Sequence, residues 1–205
     1  MLLILSLFAA LNVYAHPVSY KGATTLMTWS QPFLNDTWLV YSLNHERAVA
    51  ARVMRMQMRD GEDSTLYLPQ FNFLMKRWNE PNLQANIYTY GGYGALRGQN
   101  TTGAGLTGLE LDAENRKYYA SLKYESMWTS TGDDVQQTVL RLGIAPYEAE
   151  YNELTSWFML QVQYHPRLSR SLAVTPLGRF FYKSALVEVG SSFQSDWMLN
   201  LMFHF

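Results

Sequence analysis

The 205-residue sequence contains no cysteine, which removes disulfides, cysteine-ligated zinc, iron–sulfur clusters and thiol nucleophiles together. Charge is also scarce and evenly split. Sixteen basic residues against 17 acidic ones leave a formal net charge of −1, which gives no electrostatic case for a nucleic-acid partner, whose binding needs a basic face. After residue 15 there is no apolar run long enough to cross a bilayer as a helix. No linker, charge block or low-complexity stretch interrupts the chain, so the sequence reads as one domain after a short leader. What it does have is apolar content of 48% and aromatic content of 15%, too much for a disordered chain.

Residues 1–15 differ from the rest. Leu2 to Leu11 is an almost unbroken apolar run, followed by small residues at Val13 and Ala15. That pattern is expected of a secretory signal peptide cut after Ala15, leaving a mature domain of residues 16–205 that begins His16-Pro17. The absence of cysteine suits a chain that crosses an oxidising compartment.

Beyond residue 15 the recurring signal is alternation with period two, broken by short polar turns. Tyr118, Ala120, Leu122, Tyr124, Ser126 and Trp128 fall on one face of a run whose other face carries Lys117, Lys123 and Glu125. Leu154, Phe158, Leu160, Val162 and Tyr164 oppose Gln161, Gln163 and His165; Tyr67, Phe71, Phe73 and Met75 oppose Gln70, Asn72 and Lys76. About twelve such runs are countable, near 20–29, 37–43, 47–58, 64–77, 83–95, 105–112, 117–129, 135–146, 154–165, 171–182, 185–193 and 197–205, with ten as the alternative. The segment from Arg97 to Gly105, rich in Gly, Asn and Thr, is expected to be the longest loop. Gly91-Gly92-Tyr93-Gly94 lies inside a strand run and lacks the Lys-Ser/Thr and helix of a phosphate loop; its glycines signal a bulge or tight curvature.

Alternation alone does not separate a soluble barrel from a membrane barrel. The C-terminus does. Trp197-Met198-Leu199-Asn200-Leu201-Met202-Phe203-His204-Phe205 ends on an aromatic, with Leu199, Leu201 and Phe203 on its face. This closely resembles the C-terminal assembly signal of bacterial outer-membrane β-barrel proteins. The resemblance implies an all-β, antiparallel, up-and-down transmembrane barrel in the bacterial outer membrane. It also implies two partners, the lipid bilayer and the barrel assembly machinery. Parity turns Trp128 and Trp197 toward lipid and Trp38, Trp78 and Trp157 inward.

In such a barrel, polar faces point inside. The expected interior set is Arg55, Gln57, Lys76, Gln84, Asn86, Tyr88, Tyr90, Glu110, Asp112, Lys117, Lys123, Glu125, Arg141, Arg179, Lys183 and Glu188. Its mixed signs fit either an ion-pair lattice filling the interior or a narrow polar pore. Taking residues 131–134 as a hairpin centre sets Arg141 opposite residue 124 and predicts a Glu125–Arg141 contact. The function expected is a passive one, a narrow solute channel or a structural outer-membrane component, with no cofactor and no catalytic site. A lipid-acting enzyme is the alternative, and for it His45, His165, His204 and His16 have no well-placed serine beyond Ser169, four residues past His165. A copper link is weaker still. It would use His16 as a chelating N-terminus, or Met54, Met56 and Met58, which share a strand face expected to meet lipid.

Overall fold

A computed structural model describes residues 16–130, 132, 134–149 and 152–205; the expected signal peptide, residues 1–15, lies outside the described residues. Twelve strands follow in chain order: β1 (Thr24–Gln31), β2 (Leu34–Ser42), β3 (Arg47–Gln57), β4 (Asp63–Glu80), β5 (Leu83–Arg97), β6 (Thr101–Glu114), β7 (Tyr118–Thr129), β8 (Val135–Ile144), β9 (Thr155–Tyr164), β10 (Leu172–Tyr182), β11 (Ala185–Ser191) and β12 (Trp197–His204). Each pairs antiparallel with its sequence neighbours, and β12 closes the barrel on β1. The seam is held by the ladder from Thr25↔His204 to Ser30↔Leu199, and by a 2.8 Å bond between Thr25 Oγ1 and His204 Nδ1. Closure leaves no free edge to aggregate.

The outer surface is apolar. Leu39, Val53, Phe71, Leu122, Leu142, Phe158 and Leu160 are all more than one-third exposed, and they belong to a belt that continues around the barrel. Soluble proteins rarely expose a contiguous apolar surface of that size, whereas a lipid-facing barrel wall requires one. The interior holds Arg52, Asp36, Glu125, Arg179, Glu188 and a row of amides, all buried. This inverted arrangement is that of a transmembrane barrel.

Three local features depart from the sequence expectations. The segment 97–105 is mostly strand: β5 runs to Arg97, β6 starts at Thr101, and only residues 98–100 form the turn. Its small residues fit the ladder because neighbouring aromatics cover them. In β5, Gly92 lies so near β4 that a Cβ there would sit 2.1 Å from the Pro69 carbonyl oxygen, so the glycine serves close strand approach. The bulge is in β4 instead, between Leu74 and Lys76. It shifts the parity of the strand's end, so Arg77 turns inward while Lys76 and Trp78 face out.

The start of β1 and the end of β12 lie at one rim, here called the termini rim. Thr24 and Phe205 exchange backbone hydrogen bonds there, and the turns at 81–82, 115–117 and 183–184 belong to the same end. At the opposite rim the β9–β10 connection, residues 165–171, crosses the mouth. Leu168 forms an antiparallel bridge with Met58, Arg59 N–H donates to Arg167 O at 2.9 Å, and Ser169 N–H donates to Gln57 O at 2.9 Å. Four strands separate β10 from β3 around the wall, so this connection is a strap over the opening. Beneath it Phe33, Leu34, Leu66, Leu106, Val135 and Leu168 pack into an apolar plug.

Candidate functional site: the barrel interior

Four layers fill the lumen from the strap rim to the termini rim. Below the apolar plug lies a charged hub centred on Glu125. Arg52 is wholly buried and grips two carboxylates. Its Nε and Nη2 donate to Asp36 at 2.8 and 2.7 Å, and its Nη1 and Nη2 reach Glu125 at 2.9 Å each. Its guanidinium lies 4.4 Å from the Trp38 ring centroid, and Trp38 Nε1 donates to Asp36 Oδ1 at 2.9 Å. Glu125 also accepts from Tyr90 at 2.7 Å, from Gln137, and from Lys123 Nζ at 3.1 Å. Two cations therefore meet two carboxylates, which is how charge persists away from water. Tyr90 reaches Glu125 because Gly108 sits between them in the ladder; a Cβ at Gly108 would lie 2.1 Å from the Tyr90 ring.

A second hub is centred on Glu188. Arg179 Nε donates to it at 2.7 Å, Asn200 at 2.6 Å, and Arg141 Nη1 lies 3.3 Å away, with Arg141 Nε held by Gln161 at 2.8 Å. Arg179 stacks over Tyr119 at 4.4 Å. Between the hubs is a cavity of about 70 Å³ walled by Trp29, Trp38, Glu110, Lys123, Arg141, Arg179 and Glu188. The Lys123 ammonium lies 5.2 and 5.0 Å from the Trp29 and Trp38 ring centroids, close enough for cation–π attraction.

Toward the termini rim the chain's own residues 16–18 enter the lumen. His16 stacks on Tyr88 with centroids 5.3 Å apart, and its Nδ1 lies 3.3 Å from Asp112 Oδ2. Asn72 donates to Pro17 O at 2.8 Å. Burial opposes charge on His16, but the hydrogen bond and charge of Asp112, with Glu114 and Glu110 behind it, outweigh burial and raise the imidazole above its ordinary value. Pro17 borders the central cavity, while His16 and Val18 border a vestibule of about 1100 Å³ that opens at this rim. Residues 16–18 thus divide the two spaces.

Of the residues expected inside, Glu110, Lys123, Glu125, Arg141, Arg179 and Glu188 converge in these hubs. Lys76, Lys117 and Lys183 do not. The β4 bulge turns Lys76 out beside Trp78, Lys117 lies in the β6–β7 turn at the vestibule, and Lys183 occupies the β10–β11 turn with φ of 52°. Arg55 and Gln57 are also exposed, Arg55 pairing with Asp63 at 2.6 Å near the rim. They lie on the outward face of β3, and the inward face carries Arg52 with Ala48, Ala50, Met54 and Met56. Both faces of β3 are apolar in the middle, so alternation gave no direction there; an arginine flanked by Ala51 and Val53 at mid-strand was the available signal. Glu125 and Arg141 share the interior face of adjacent strands but do not meet. The ladder pairs Ser121 with Arg141 and Glu125 with Gln137, because β7 continues to Thr129 and the reversal centres near residue 131. The outward face of β12 carries Leu199, Leu201, Phe203 and Phe205.

No protein-family model matches the chain, and no curated protein does. Among solved structures, one described as "KdgM porin" matches over 89% of this chain and 98% of its own, with a TM-score of 0.51 and 11% identity. Another, "KdgM porin in complex with disordered oligogalacturonate", matches over 89% and 99% with a TM-score of 0.49 and 11% identity. The chain shares with the first of these the architecture of a closed antiparallel outer-membrane β-barrel. At this identity the likeness extends to architecture alone.

Ser169 Oγ donates to Gln57 at 3.1 Å, while His165, four residues away, packs against Phe33 and beside Gln163. Burial, with the charge of Lys123 adding to it, pushes the His165 imidazole down to about 4 despite the opposing carboxylate of Glu125, so it is neutral at neutral pH. His45 is exposed beside Glu46. Met54 and Met56 point inward, opposite to the lipid-facing orientation expected for them.

Proposed function

We propose that this protein is an outer-membrane channel for small polar solutes, closed in this structure by the strap at one rim and by residues 16–18 within the lumen. The carrying observation is the pair of charged hubs: Glu110, Lys123, Arg141, Arg179 and Glu188 border the central cavity among aromatic and apolar side chains, and a wider vestibule lies below it. A barrel serving only as a wall or anchor has no need of charges bordering an internal cavity, because replacing a buried ion pair with apolar side chains is often neutral or stabilising. The closures are of the separable kind. The strap is joined to β3 by a few backbone hydrogen bonds and the plug contact, and residues 16–18 are joined to the wall chiefly through His16–Asp112, His16–Tyr88 and Asn72–Pro17.

A structural barrel is the competing reading, favoured by the small size of the central cavity, about 70 Å³. Uptake separates the two. Proteoliposomes carrying the purified barrel should admit a graded series of small polar solutes with a sharp size limit, and uptake should rise when residues 166–170 are replaced by two glycines. Liposomes as tight as protein-free ones in both cases would leave the structural reading.

A further inference from the structure

Residues 16–18 lie inside the barrel because the chain reverses just before β1. Gly22 takes a φ of 84°, Ala23 N–H donates to Tyr20 O at 3.1 Å, and Ser19 N–H donates to Ser42 Oγ at 2.9 Å. These contacts turn the segment back from the rim into the lumen, where His16, Pro17 and Val18 are all buried. The residue that would follow the expected cleavage after Ala15 is therefore enclosed by the barrel wall.

His16 faces a column of acids. Glu110, Asp112 and Glu114 alternate along the inward face of β6, and the charge of all three acts on the His16 imidazole. Positive charge reaches them unevenly. Glu110 stands opposite Lys123 in the ladder, and Asp112 accepts from Asn86 Nδ2 at 2.6 Å while its Oδ2 faces His16. Glu114 is only 4% exposed, and its Oε1 meets no hydrogen-bond donor among the described residues. Arg77 does not answer it, since its Nε and Nη2 donate to Asn86 and Tyr88 at 2.6 and 3.0 Å. A carboxylate buried without a cation is costly. Glu114 thus marks a place, beside the start of the enclosed segment, where a positively charged donor belongs.

Hydrolysis of the Ala15–His16 peptide supplies one. A signal peptidase adds one water across that bond; the new carboxylate leaves with Ala15, and the amide nitrogen of His16 becomes a primary amine that takes up a proton. We propose that this α-ammonium docks on Glu114 and Asp112, so that signal-peptide cleavage itself latches residues 16–18 in the lumen. The new charge sits a short side chain away from the ring that Asp112 already holds, and its N–H donors can answer both Glu114 Oε1 and Asp112 Oδ2, the carboxylate oxygens that lack a hydrogen bond. An α-amine loses its proton at higher pH than an imidazole does, so the latch remains after His16 has lost its own ring charge. The proposal deepens the reading of residues 16–18 as one closure of the channel.

The test uses the whole mature chain, residues 16–205, folded in detergent. Its amines are acetylated with a trace of reagent at neutral pH and read by mass spectrometry, with the exposed Lys21 as internal reference. The His16 α-amine should label about tenfold more slowly in the folded chain than in the unfolded one, because a buried carboxylate partner disfavours the neutral, reactive form. The D112N/E114Q variant keeps the shape of both side chains. It should retain heat-modifiable gel mobility and return labelling most of the way to the unfolded rate. N-terminal sequencing of the protein extracted from outer membranes should begin His16-Pro17-Val18. An α-amine as reactive in the folded chain as in the unfolded one, an equally slow amine in the folded D112N/E114Q variant, or a native chain with another first residue would overturn the proposal. None of these readouts needs conduction, so the latch and the channel reading can fail separately.

Discussion

Arg52 and Glu125 lie 73 residues and four strands apart, yet meet across the lumen through two contacts of 2.9 Å. The pair fastens one wall of the barrel to the other. Removing one member of a buried pair leaves the other charge without compensation, at a cost of about 3–5 kcal/mol. R52A should suffer this most, because both Asp36 and Glu125 lose their guanidinium. Urea unfolding in lipid vesicles measures it. A double-mutant cycle of R52A with E125A should show strong coupling, and additive losses would mean the two side chains act independently.

The outer face makes a second demand. Leu122 and Leu160 lie on neighbouring apolar rungs, joined through Leu140 and Leu142. L122R or L160R should destabilise by roughly 2–4 kcal/mol if the position is near the bilayer midplane. Refolding into vesicles with each variant checks the assignment, and a loss below 1 kcal/mol would place the residue away from hydrocarbon.

Alternation made the strands legible because lipid on one side and packed polar groups on the other impose opposite demands on successive residues. It placed Lys123, Glu125, Arg141, Arg179 and Glu188 on the interior face. Parity failed where a strand carried little contrast or an extra residue. In β3 the faces Val49-Ala51-Val53 and Ala48-Ala50-Met54 are equally apolar, so the pattern does not distinguish Arg52 from Arg55 as the inward arginine. In β4 one bulge reversed Lys76, Arg77 and Trp78. Contacts across the lumen, such as Arg52–Glu125, depend on barrel circumference and stagger, which no local pattern encodes. The strap was equally hidden: His165-Pro166-Arg167-Leu168 reads as an ordinary turn until β3 is known to stand opposite.

Residues 16–18 should respond to pH. The imidazole of His16 is raised above its ordinary 6.5, so its contribution to holding the segment is fully present below pH 6.5 and is lost as pH rises through the folded value. Protection of the Val18 and Ser19 amides, taken relative to their intrinsic exchange rates at each pH, should fall as the solution is made alkaline, and H16A should remove that fall. Protection insensitive to pH in the parent would show that Asp112 does not hold a charged ring.

The ending of β12 should matter for assembly rather than for conduction. Phe203 and Phe205 point outward and touch none of the lumen hubs. Replacing both with serine, or deleting Phe205, should lower the amount of heat-modifiable barrel in outer-membrane fractions. The protein that does insert should conduct normally. Unchanged levels would mean that the alternating aromatic ending is not what the assembly machinery reads.

The central claim is that a polar conduit exists and that the strap closes it. Single-channel recording in planar bilayers tests it most directly, comparing the parent with the variant in which residues 166–170 are replaced by two glycines. The parent should be silent or open briefly, and the strap variant should give frequent, larger, long-lived steps. A silent strap variant that is folded and inserted would contradict the account, because the hubs would then be a solid filling rather than the wall of a path.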